Sequence, residues 1–365
     1  MNVLIVGIRA DHRDGWGKYC ALLLNALASS TGAKVKLATN EKEAGLSRDL
    51  SAFQVRSNRR LNVRKRELLW DVLRFSRYWR AADAIIAADE LSAPLCALAA
   101  RIFNKRLITV VHGTYALLSL DCKKADTYRK AFVAADAIVA VSNYTKARLA
   151  ERLPVVADKI RAVSLSAVSD SIARPAQQPA DNHFCVIGGI KPRKGALHAV
   201  KALDILLKKG RDVRLIVIGE QSHDDAYFQE VMREVARAGM EDRISFTGFV
   251  SEIEKNTIVA TSIANLLPSE NVGGSFEGFG FVHLEAGFFA VPTIGSRSCG
   301  NEDAIRDGET GYLLKQGDVS GLSDRMDALS QDTALRSRLG LNGQEFVFGW
   351  TWRDIAETYD RLLRS

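Results

Sequence analysis

The feature that most constrains this chain is a recurrence. Short, nearly unbroken apolar runs alternate with amphipathic stretches of helical length from end to end. Residues 3–6 precede 17–28, 84–87 precede 93–102, 107–111 follow, and 137–141 precede 144–153. A strand that reads as a continuous apolar run is buried on both faces, and a strand followed by a helix is the unit of a parallel sheet. Around residues 171–182 the periodicity stops, and two prolines among small and polar residues read as an interdomain linker. A second series then begins. It predicts strands at 184–187, 214–218, 244–247, 262–267 and 291–295, and helices at 196–209 and 227–238. The expected fold class is α/β, with two Rossmann-like, doubly wound parallel-sheet domains facing a central cleft. Residues 1–172 form the first, 173–182 the linker and 183–350 the second. At 365 residues the chain exceeds one ordinary hydrophobic core.

No apolar run approaches the ~18 residues of a membrane-spanning helix. The N-terminus lacks a basic head and cleavage site, and it reads as a first strand rather than a leader, so the expected location is the cytoplasm. Five cysteines, scattered and without a C-x-x-C pair, read as small buried side chains. The net charge of +7 is concentrated in residues 56–80, where nine Arg or Lys face two acidic residues among leucines and aromatics. One reading is an amphipathic helix lying on anionic lipid headgroups. The other is a helix that packs its apolar face on its own domain and leaves the arginines in water. Nucleic acid ranks behind both, because no helix-turn-helix, zinc or RNA-recognition signature accompanies the charge.

The most informative stretch runs from Leu267 to Ala286, LPSENVGGSFEGFGFVHLEA. A strand ends near Leu267, a glycine-rich loop follows, and 281–289 reads as a helix. Gly278 and Gly280, flanking Phe279, let backbone approach a ligand, and the helix start beyond them suits a diphosphate. Glu277 precedes that helix and Glu285 lies in its second turn. Eight residues correspond to about 80° on an ideal helix, so both carboxylates are expected to border one cleft, where each suits adjacent sugar hydroxyls. For a lone glutamate, a charge interacting with the helix dipole would be the simpler explanation.

Residues 187–195, IGGIKPRKG, place three cations ahead of a helix. Lys194, helped by Arg193 or Lys191, reads as the neutraliser of a leaving diphosphate, against the alternative of a solvated basic turn. His112 sits at the carboxyl end of a predicted strand, as a hydroxyl or phosphate partner or as a loop cap. The loop 9–19 carries Gly15 and Gly17 just before a helix, by itself a common connection.

Together these residues resemble the retaining glycosyltransferases of family 4, the group 1 glycosyl transferases of GT-B fold, and the resemblance runs along essentially the whole chain. Its specific elements are Glu277 and Glu285 within EGFGFVHLEA, the following VPT at 291–293, SCGNE at 298–302 and DGETGYLL from Asp307. The resemblance implies that Glu277 contacts the transferred sugar, Glu285 the ribose, and Lys194 with an arginine the diphosphate. It places His112 near the sugar and Gly15 and Gly17 near the phosphates, and it has the tail from Trp350 to Ser365 cross back onto the first domain.

Three departures stand out. Gly188-Gly189 replaces the family's Gly-Arg, so either Arg193 substitutes for the missing guanidinium or the grip on the diphosphate is weaker. Ser166-Ala167 replaces an Asn-Gly turn, and 271–275 is an insertion. The implied reaction moves a hexose-type sugar from a UDP-, GDP- or ADP-linked donor to a glycan or lipid-linked acceptor, such as a polysaccharide or lipopolysaccharide precursor. It proceeds with retention and without metal or other cofactor. A GT-B sugar-nucleotide epimerase and a non-catalytic sugar-nucleotide binder are the rival readings.

Overall fold

The computed structural model describes residues 1–10, 15–40, 51–55, 64–169 and 172–365. Part of the 9–19 loop, residue 171 of the aperiodic stretch 171–182, and Arg56, Arg59 and Arg60 of the basic stretch lie outside the described residues. Met1–Leu165 with Trp352–Ser365 form one compact unit, and Ser166–Thr351 form the other.

The first unit carries a seven-stranded sheet of order β3-β2-β1-β4-β5-β6-β7, parallel throughout. Its strands are β1 (Asn2–Val6), β2 (Lys34–Thr39), β3 (Ser51–Gln54), β4 (Ala84–Ala87), β5 (Arg106–Val111), β6 (Ala137–Ala140) and β7 (Ile160–Ala162). Every residue of β4 and β6 is buried, which explains their unbroken apolar runs. β2 was not expected, because Lys34 and Lys36 point to solvent and interrupt the run. The core is closed by Trp79, Tyr128 and Phe132, all fully buried.

Both ends of the chain contribute to this unit. The C-terminal helix Trp352–Arg364 packs on the helix Gly15–Ser30. There the buried hydroxyls of Tyr19 and Tyr359 are 2.5 Å apart, the Trp352 ring meets the Tyr19 ring edge-on at 5.5 Å, and Arg106 Nε donates to Leu362 O at 2.7 Å.

The basic stretch forms two helices, Lys65–Arg74 and Ser76–Ala81, interrupted at Phe75. Its apolar residues divide between two surroundings. Leu68, Val72 and Trp79 enter the core, whereas Leu69, Trp70 and Leu73 are exposed by 46%, 61% and 59% beside exposed Arg66, Arg74, Arg77 and Arg80. Among the described residues no helix is long and apolar enough to cross a membrane. Of the five cysteines, all but Cys122 are buried.

The second unit has a six-stranded sheet of order β10-β9-β8-β11-β12-β13, again parallel. It comprises β8 (His183–Ile187), β9 (Arg214–Ile218), β10 (Ile244–Gly248), β11 (Asn265–Leu267), β12 (Thr293–Ser296) and β13 (Gly311–Leu314). The strand order reverses between β8 and β11, and in open sheets that switch point opens a crevice beyond the carboxyl ends of the strands.

The division between units falls at Leu165/Ser166, ahead of the expected boundary at 172. Ser166 Oγ donates to Trp350 O at 2.6 Å and accepts from Val168 N at 3.0 Å, which fastens this segment to the second unit. Residues 173–182 are likewise held rather than free. Arg174 pairs with Glu345, Gln177 Nε2 donates to Ala290 O at 2.8 Å, and Gln344 Nε2 donates to Pro175 O at 2.9 Å. Proline and small polar residues removed the periodic signal here, yet their backbone still finds partners.

Replacing Tyr359 by Phe leaves the buried Tyr19 hydroxyl without this partner and is expected to cost about 1–3 kcal/mol of unfolding free energy in urea titrations. Replacing it by Ala also opens a cavity, for about 3–5 kcal/mol.

Candidate active site

The loops after β8 and β11 meet at the switch point through direct backbone contact. Gly195 has φ of +71°, and a Cβ there would lie 1.9 Å from Pro268 O, so only glycine admits this approach. Glu270 N donates to Arg193 O at 3.1 Å and ties the loops a second time. The short helical turn Pro192–Lys194 then delivers two cations to the side chain of Glu277.

Arg193 Nη1 and Lys194 Nζ each lie 2.7 Å from the same oxygen, Oε2 of Glu277. The Glu277 carboxyl and the Lys194 side chain are largely buried. Burial alone would raise the Glu277 carboxyl, but Lys194 and Arg193 outweigh it and hold it at about 2. For Lys194 burial wins, and the ammonium sits below its ordinary value despite Glu277. Two cations therefore share one carboxylate.

Behind Glu277, His283 is buried and donates from Nδ1 to Thr293 Oγ1, whose own proton goes to Asn265 O. Burial pulls this imidazole down to about 3, so it stays neutral and leaves the local charge positive. The His283 ring also meets the Asn301 side chain, whose hydrogen bond does not offset burial. Among the described residues, the buried Ser269 Oγ nearby has no hydrogen-bond partner, which is unusual for a buried polar atom.

Gly280 caps the helix Phe281–Phe288 at φ of +79°, and a Cβ there would fall 2.4 Å from Asn301 Oδ1. Gly278 and Phe279 are buried in the approach to it. This break corrects the 80° estimate. Glu277 is not on the helix of Glu285, so no helical rotation relates them. Their cation partners differ too: Glu285 Oε1 is 2.8 Å from Lys255 Nζ, and Lys255 was not singled out in the sequence.

Gly189 lies just beyond β8 with a negative φ, and a Cβ there would meet Glu220 at an ordinary 3.5 Å. The backbone thus has room for a side chain at 189, and Arg193 reaches Glu277 from four residues on. Lys191 instead faces Glu220 at 4.0 Å across an exposed pair. The insertion 271–275 is a tight hairpin. Val272 and Ser275 bridge across Gly273 and Gly274, and Asn271 is fastened to Gln316 and to Ser298 O.

In the first unit His112 follows β5. Its Nε2 donates to Ala88 O at 2.8 Å, its backbone N–H donates to Glu90 Oε1 at 2.5 Å, and the Tyr19 ring stands edge-on to it at 4.8 Å. Glu90 is fully buried, and burial raises its carboxyl to about 8 despite the His112 N–H. Sequence reading missed it, since Asp-Glu after an apolar run looks like a solvated turn. Gly15 and Gly17 lie inside the first turn of their helix rather than ahead of it.

Comparison with known proteins places the geometry in a family. Residues 169–346 match the model of glycosyl transferases group 1, and residues 13–165 match that of glycosyltransferase family 4. A GDP-mannose-dependent alpha-(1-6)-phosphatidylinositol monomannoside mannosyltransferase of Mycolicibacterium smegmatis is 26% identical over 73% of this chain and 72% of its own. The capsular polysaccharide biosynthesis glycosyltransferase CapM of Staphylococcus aureus is 27% identical over 49% of this chain, and that match spans 46% of CapM. Among solved structures, Anabaena HepE in complex with UDP-glucose superposes with a TM-score of 0.78 at 18% identity, covering 100% of this chain and 99% of HepE. WaaG, a glycosyltransferase involved in lipopolysaccharide biosynthesis, gives 0.73 at 15% identity, covering 99% of each chain. The fold is GT-B.

Neutralising Glu277 frees both cations. Glu277→Gln is expected to bind inorganic pyrophosphate about tenfold more tightly than the wild type in calorimetric titration. Because the native carboxyl is depressed, the stability this pair contributes is present above 4.5, the ordinary Glu value, and is lost as pH falls toward about 2. The acid limb of the wild-type stability curve should therefore be steeper than that of the variant.

Proposed function

The chain belongs to glycosyltransferase family 4, and from that premise we propose that it transfers a hexose-type sugar from a nucleotide diphosphate donor, with retention and without a metal. The observation that carries the donor reading is the buried excess of positive charge at the β8/β11 switch point, where Arg193 and Lys194 share Glu277. A diphosphate supplies the anion this cluster lacks, and fixed charges in a water-poor site stabilise a leaving phosphate strongly.

In this reading Lys194 and Arg193 take the diphosphate, and Gly189, Gly278, Phe279 and Gly280 shape the backbone around it. Glu277 accepts from the sugar hydroxyls, and Glu285 accepts from the ribose. His112 has the sugar-stabilising role implied by the family, and Gly15 and Gly17, in the first turn of their helix, have the phosphate-side role that the family implies. The acceptor oxygen bonds to the anomeric carbon as the bond from that carbon to the diphosphate breaks. The hydroxyl proton passes to the departing phosphate oxygen, on the face where the donor bond was. No side chain forms a covalent intermediate, so positioning supplies the rate.

The acceptor we propose is a glycan or lipid-linked precursor of a cell-surface polysaccharide or lipopolysaccharide. The mycobacterial relative is named for a phosphatidylinositol mannoside. On this chain, Leu69, Trp70 and Leu73 stand exposed among Arg66, Arg74, Arg77 and Arg80, the pairing of apolar wedge and cations that suits an anionic bilayer surface.

Thermal melts with UDP-, GDP- and ADP-linked sugars test the donor. One nucleotide present at 100 times its dissociation constant should add about 2.7 kcal/mol, an effect lost in Lys194→Met. No shift with any nucleotide would refute the donor site. A shift without transfer to any acceptor would favour the non-catalytic reading, and sugar isomerisation without acceptor would favour the epimerase. In vesicle sedimentation, the wild type should pellet with phosphatidylglycerol-containing liposomes at low salt, and Trp70→Ala combined with Leu73→Ala should remain in the supernatant.

A further inference from the structure

Lys255 is only 9% exposed, although it lies on the helix Glu252–Ala260 in a sequence, SEIEKN, that looks solvated. Its Nζ is 2.8 Å from Glu252 Oε2 and 2.8 Å from Glu285 Oε1. Glu252 is more than half exposed, while the Glu285 side chain is 12% exposed. A pair with Glu252 alone would form equally well in solvent, with the ammonium fully hydrated. Burying a lysine costs several kcal/mol unless a carboxylate compensates it, so it is Glu285 that accounts for the position of Lys255 inside the fold. The two carboxylates outweigh burial and hold the ammonium above its ordinary value, so it stays charged.

A buried ammonium on one oxygen restricts the rotamers of a carboxylate, and a carboxylate, with roughly four acceptor sites, can accept from more than one donor at once. We propose that Lys255 is a positioning residue that sets the Glu285 carboxylate to accept from the two adjacent hydroxyls of the donor's ribose. This rests on the donor-site reading above and adds to it the residue on which ribose recognition depends. Lys255 touches no substrate in this assignment. Its effect passes through Glu285 alone, so it should be confined to ligands that carry those hydroxyls.

The test compares binding of whichever of UDP, GDP or ADP binds best with its 2′,3′-dideoxy form, by calorimetry, on the full chain. Wild type should prefer the ribose form by roughly tenfold or more, because a site built to bond a hydroxyl rejects the analogue lacking it. Lys255→Met should bring the ratio close to one while leaving the affinity for the dideoxy form unchanged. Lys255→Arg should show an intermediate ratio, and Glu252→Gln should keep the wild-type ratio. Equal weakening of both ligands in Lys255→Met, or an unchanged ratio, overturns the positioning role. If Lys255→Met does not fold, the Lys255→Arg ratio decides the matter: a value equal to wild type overturns the proposal. Should the wild type bind no nucleoside diphosphate, the donor-site reading itself fails. Binding by the wild type without ribose preference removes this inference alone.

Discussion

The Glu277 carboxylate, shared between Lys194 and Arg193, depends on a contact made elsewhere in the chain. The loops that carry these residues belong to strands on either side of the sheet's switch point, and they close together because Gly195 lets backbone rest on Pro268. A side chain at Gly195 would drive the loops apart, and the cations would lose the carboxylate. The pairing is unequal, two positive groups to one negative, in a place where water screens little. Truncating one partner of a buried pair commonly costs about 3–5 kcal/mol.

The same economy appears around it. His283 is kept neutral by burial and held by Thr293, so it packs behind Glu277 without adding charge. Lys255 does for Glu285 what Lys194 does for Glu277, but from the helix Glu252–Ala260 rather than from the turn after β8. The two carboxylates of the glutamate pair thus have different cation partners, Lys194 and Arg193 for Glu277 and Lys255 for Glu285. In the first unit, Glu90 takes the backbone N–H of His112 and Ala88 O takes its ring, so both ends of that residue are fixed by groups at the end of β4.

Much of this was legible in the sequence for a physical reason. Strands covered on both faces must be apolar throughout, so β1, β4, β5, β6, β8 and β9 announce themselves as uninterrupted runs. The lysines of β2 and the brevity of β7 hide those strands. Glu277, Glu285, Arg193 and Lys194 stand out because glycines and a helix start surround them. Lys255 and Glu90 do not. A lysine three residues after a glutamate on a helix reads as an exposed pair, and nothing local reports that Glu285, thirty residues away, draws it inside. Burial of a charge is a tertiary property, so it leaves no mark in a window of a few residues.

The most direct test of the account is a crystal structure with the best-binding nucleoside diphosphate. The account predicts phosphate oxygens within hydrogen-bonding distance of Lys194 Nζ and Arg193, with the ribose hydroxyls on Glu285. A diphosphate bound away from these cations, with Lys194 and Arg193 still closed on Glu277, would contradict it.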